Sequence, residues 1–249
     1  GENKVFQKTK IPFYVSDNPD STRVLKAEVF DSEKRLIKTI EAKNLDKGLN
    51  YLIWKLDEKA ASFKRKGKEG DTKGIAVLPG DYTITLTDGA FKDVTEVKVI
   101  TDPRFDLDPA VDQALYTFRK EIDRQVEALA KQFHTIDDKN ILLGNMSKLL
   151  KEKGFATDDP MVISVQKMEV GLKELRAKGQ IPRPERQVGA WQSFETSPYS
   201  QLQDVRRLAR AQTTIPSEQH KEMLQGATQS IATFSKEVDN FMKTQWQPF

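Results

Sequence analysis

The strongest constraint on what this chain can fold into is a change of apolar rhythm at "TDPRFDLDP", residues 101–109. Before it, apolar and polar residues alternate with a period of two, the signature of half-buried antiparallel strands. After it, apolar residues recur in steps of three and four, the signature of amphipathic helices. No single element type satisfies both periods. The sequence therefore predicts an α+β multidomain chain: an antiparallel β-sandwich over 1–103 and an all-α helical bundle of four or five helices over 104–249.

In the first part, Ile11, Phe13 and Val15 share a face, and Leu25, Ala27 and Val29 alternate with Lys26 and Glu28. "RLIKTI" follows the Asp31–Lys34 turn; "GLNYLIWKL" places Leu52, Trp54 and Leu56 opposite Tyr51 and Ile53. Pro79-Gly80 then opens a strand with Tyr82, Ile84 and Leu86 on one face, and "VTEVKVI" returns across Asp88-Gly89. Six or seven strands in this space fit two stacked sheets.

In the second part, Asp108 and Pro109 form a start signal for a helix carrying Val111, Leu115, Phe118, Ile122, Val126, Leu129 and Phe133. A second helix is expected to hold Ile141, Leu142, Met146, Leu149 and Leu150 and to stop near Gly154. A third starts at Asp159-Pro160 and runs toward Gly179, and Ser217 caps a last helix through Phe241. Between them, a Pro/Arg-rich segment at about 179–198 reads as a crossover. Its Arg183, Arg186, Trp191 and Phe194 are residue types favoured at protein contacts and form the candidate interaction surface.

Composition narrows the chemistry. The 249 residues carry 40 basic and 37 acidic side chains, interspersed, for a formal charge of +3, without the localised excess of a nucleic-acid binder. No nucleic acid is expected as a partner. Cysteine is absent, which removes disulfides and thiolate metal sites, and no apolar run reaches the ~20 residues that span a bilayer. The fingerprints GxSxG, GxxxxGK[ST] and GxGxxG are missing. His134 and His220 stand alone, His134 reading as a cation at a helix end, and Asp106/Asp108, Asp137/Asp138 and Asp158/Asp159 each precede a helix as capping pairs. The sequence thus nominates no catalytic, cofactor-binding or metal-ligating residue. The basic tract "FKRKGKEGDTKG", residues 63–74, reads as a solvated insertion between strands, with polyanion binding as the sharper alternative.

The elements "VLKAEVFDSEKRLIKTI", "KGLNYLIWKL" and "LPGDYTITL" resemble the immunoglobulin-like fold of the flagellar hook-capping type, through Gly48, Leu49, Asn50 and Trp54 and then Pro79, Gly80 and Tyr82. In that pattern a turn glycine stands where this chain has Glu33 or Lys34. With the continuation "VKVITDPRFDLDPAVDQAL" and the late "TIPSEQHKEMLQ", the chain is similar to the C-terminal region of bacterial sortilin-like β-propeller proteins, often labelled BNR-repeat glycosyl hydrolases. The resemblance implies a fragment preceded by a β-propeller in an exported, periplasmic or extracellular protein. It carries no catalytic residue to this chain; any glycosidase activity of the full-length protein would reside in the propeller. The expected role is a non-catalytic accessory or interaction region that packs on or presents that propeller and meets a protein or glycan partner. A carbohydrate-binding or glycosidase-associated fragment is the alternative.

Overall fold

The computed structural model describes residues 9–20, 22–64, 74–104, 108–181 and 196–249. It is an α+β chain with two antiparallel sheets and four helices among these residues. Two compact units divide it: Gly1–Ala60 with Asp71–Thr117, and Ala61–Gly70 with Phe118–Phe249.

The first unit holds six strands: β1 Thr9–Val15, β2 Leu25–Phe30, β3 Leu36–Ala42, β4 Gly48–Trp54, β5 Gly80–Asp88 and β6 Phe91–Val99. β1 pairs with β4 in a two-stranded sheet, and the other four run in the order β3-β2-β5-β6. One apolar cluster draws on both sheets, joining Leu52 and Trp54 to Ala27, Val29, Tyr82 and Ile84. Trp54 meets Tyr82 edge-on, with ring centroids 5.3 Å apart, a favoured aromatic geometry. The alternation read from the sequence sets which side chains enter this cluster, because a one-residue slip would invert every face. At the β2–β3 turn, Lys34 sits at φ 62° in the left-handed region that suits glycine. The Asp31 carboxylate holds the turn instead, accepting the amides of Glu33 and Arg35.

The second unit is built on α1 Pro109–Glu152 from Phe118 onward, α2 Pro160–Gly179, α3 Pro198–Ala211 and α4 Glu218–Phe241, which ends in a π-helical turn, Met242–Trp246. The two helices expected between residues 109 and 154 are one helix of 44 residues. Asp137 and Asp138, read as caps, lie inside it. No glycine or proline interrupts 134–140, and Phe133, Ile136 and Leu143 keep a single buried stripe in phase. That phase puts Leu150 in the core and leaves Ile141, Leu142 and Leu149 exposed. The other start signals act as read: Asp159 accepts the Met161 amide at 2.8 Å, Asp108 the Ala110 amide at 2.8 Å, and Ser217 the His220 amide.

Two features of this unit lie outside any periodic pattern. Ala61 is buried in the helical core and Phe63 packs against it, although both belong to the stretch between β4 and β5. At the end of α2, Gly179 lies so close to Phe133 and Phe234 that a Cβ there would come within 2.6 and 2.5 Å of their ring carbons. We expect Gly179→Ala to destabilise the chain by about 1–3 kcal/mol through overpacking, read as a lowered melting temperature by circular dichroism.

Candidate functional site

The β1–β4 sheet departs from what a half-solvated sheet requires. Its inner residues Ile11, Phe13, Leu52 and Trp54 feed the core of the first unit. The register then aligns Lys10 with Ile53, Pro12 with Tyr51 and Tyr14 with Leu49 on the opposite face. That outer face is open to solvent: Tyr14 is 72% exposed, Leu49 60%, Tyr51 53% and Ile53 44%. Its one charge in these pairs, the Lys10 ammonium, lies 5.7 Å from the centre of the Tyr51 ring, within cation–π range. The four-stranded sheet behaves differently. Away from the core it carries the Lys26–Glu28 ion pair at 2.6 Å and a row of Thr83, Thr85 and Thr87 facing Glu96, Val94 and Lys92. A sheet apolar on both faces is one built to be covered on both.

A second cluster is polar and buried. After β4 the backbone turns at Leu56, whose φ of 51° is an outlier for a branched residue. The next two residues, Asp57 and Glu58, are buried carboxylates. Asp57 pairs with the Lys38 ammonium from β3 and accepts the Gly74 amide at 2.8 Å, while its backbone oxygen accepts the Trp54 indole N–H at 3.0 Å. Glu58 accepts the Tyr116 hydroxyl. Backbone bonds from Glu58 to Ile75, Val77 to Leu56 and Lys59 to Ile37 close the cluster. Gly74 is required at its place, since a Cβ there would lie 2.0 Å from the Glu58 carbonyl oxygen. Burial, and then the bond to Glu58, push the Tyr116 hydroxyl up. Burial pushes Tyr82, whose hydroxyl donates to the Leu78 carbonyl at 2.7 Å, up to about 12. Buried in this way, these carboxylates hold chain segments together.

The residues nominated from the sequence fall in several places. Arg183, Arg186, Trp191 and Phe194 lie outside the described residues, as does 65–73 of the basic tract. Lys64 is exposed, whereas Phe63 packs on the helical core rather than standing in solvent. His134 is no helix-terminal cation: α1 continues past it, and its Nε2 bonds the Phe63 carbonyl at 2.9 Å. His220 completes the capping box of α4, its Nδ1 accepting the Ser217 amide at 3.3 Å. Trp54 is buried and Trp246 partly buried, with Lys139 4.7 Å from the centre of its ring. Among the described residues no group of three or more His, Asp or Glu side chains could hold a metal ion. No helix there is long and apolar enough to cross a membrane.

No family model, no curated protein and no solved structure matches the chain.

Two outcomes follow from the polar cluster. Lys38→Met leaves Asp57 buried without its cation and is expected to cost about 3–5 kcal/mol in urea unfolding. The raised Tyr82 hydroxyl favours the folded state fully below its ordinary value of 10.0 and loses that effect as pH climbs toward about 12. Stability measured by urea titration should therefore fall across that alkaline window, and fall less steeply in Tyr82→Phe.

Proposed function

We propose that the chain is a non-catalytic accessory and interaction region of an exported bacterial protein. Its first unit, an immunoglobulin-like sandwich, packs through the outer face of β1 and β4 against an upstream β-propeller of the same polypeptide. The observation that carries the reading is the outer face itself. Five of the six side chains in its three cross-strand pairs are apolar or aromatic, and the sixth is a lysine lying over one of those rings. Burying such a surface stabilises by about 25 cal/mol per Å² of apolar area, and aromatic residues are favoured anchors at protein contacts.

A glycan ligand is the second reading, favoured by the exposed rings of Tyr14 and Tyr51 on neighbouring strands. Leu49, Pro12 and Ile53 beside them fit a protein surface better, because sugar recognition needs polar groups to meet hydroxyls. Tyrosine nitration decides between these. In this chain alone Tyr14 and Tyr51 should react readily; in the protein expressed from its complete reading frame they should react several-fold more slowly. Equal rates in both would sink the docking reading, and retention on a polysaccharide column that Tyr14→Ala abolishes would put the glycan in its place.

A further inference from the structure

The stretch Ala61–Lys64 sits on the helical unit as a bound peptide sits on its receptor. Its backbone is bonded by α1 at one point, where His134 Nε2 donates to the Phe63 carbonyl at 2.9 Å, and the Asp123 carboxylate lies near the Ala61 amide. These two side chains are about three helical turns apart on one face of α1. The Phe63 ring supplies the anchor, meeting Tyr199 of α3 edge-on at 5.0 Å between centroids and Phe133 of α1 at 6.0 Å. Ala61 is buried two residues earlier. The Ser62 hydroxyl then accepts the Lys64 amide at 3.1 Å. Main-chain bonds that accept any sequence, combined with one aromatic anchor and one small residue, are the division of labour found in peptide recognition.

We infer that Asp123, His134, Phe133 and Tyr199 form a peptide-recognition seat, held in this structure by the chain's own Ala61–Lys64 as an internal ligand. Its occupant is a segment with a small residue two positions before an aromatic one, and an external segment of that pattern competes for the same seat. The seat lies wholly within the second unit and does not rest on the β1–β4 docking face.

The probe is a fluorescein-labelled peptide of residues 59–65, Lys-Ala-Ala-Ser-Phe-Lys-Arg, titrated against the full chain and followed by anisotropy. Phe63→Ala empties the anchor and should bind the peptide at least about tenfold more tightly than the unmodified chain does, because the internal ligand no longer competes. A peptide with alanine in place of its phenylalanine should fail to bind. Equal binding by both chains overturns the inference, as does no binding by a Phe63→Ala chain that keeps the unmodified circular dichroism spectrum. Should that variant unfold, amide exchange of the unmodified chain decides instead. Exchange at 61–64 through a local opening, insensitive to low denaturant, supports a displaceable ligand, whereas exchange there only by global unfolding overturns it.

Discussion

The first unit is organised around a charge that cannot reach water. A carboxylate as buried as Asp57 is tolerable only with a cation and a hydrogen-bond donor in place. Lys38 and the Gly74 amide meet that demand from two distant stretches of chain. Their positions follow from it: β3 must run beside the turn after β4, and the chain must return at residue 74 in contact with Glu58. The left-handed backbone at Leu56 is where the local strain of this arrangement sits. Tyr116, at the start of α1, is drawn to the adjacent Glu58 by the same requirement that a buried oxygen find a donor.

With the interior of the unit set in this way, its two outer surfaces divide the work. The four-stranded sheet carries threonines and the Lys26–Glu28 ion pair on one side, with Val94 exposed among them. The β1–β4 sheet offers tyrosine, leucine, isoleucine and proline on the other. Such an asymmetry costs solubility unless something covers the apolar side. Several carboxylates serve structure: Asp108 and Asp159 in caps, Asp31 in a turn, Asp57 and Glu58 in cohesion.

Much of this was legible in the linear sequence, and the boundary between legible and illegible follows the range of the forces. Alternation identifies the strands and already separates Tyr51 and Ile53 from Leu52 and Trp54, which is the essence of the exposed face. Asp-Pro and Ser signals locate the starts of α1, α2 and α4, since capping acts over three or four residues. The false break near residue 137 arose because two aspartates resemble a cap, although the apolar stripe of α1 runs through them unbroken. The burial of Asp57 and Glu58 has no local signal, because the lysine, amide and hydroxyl that make it tolerable lie from 17 to 58 residues away. Ala61 and Phe63 gave no signal at all, being too few to show a period and too far in sequence from the helices they join.

That distance also shapes how the chain is made. Phe63 and His134 are separated by 71 residues, and a ribosome adding about 5–20 residues per second needs on the order of 4–14 s to supply the second after the first. During that interval the strands on both sides of the segment can emerge and pair, while the Phe63 ring has no aromatic surface to meet. Four basic residues follow it in the sequence, Lys64, Arg65, Lys66 and Lys68, and charges flanking an apolar residue are of the kind that oppose aggregation of an unfolded chain.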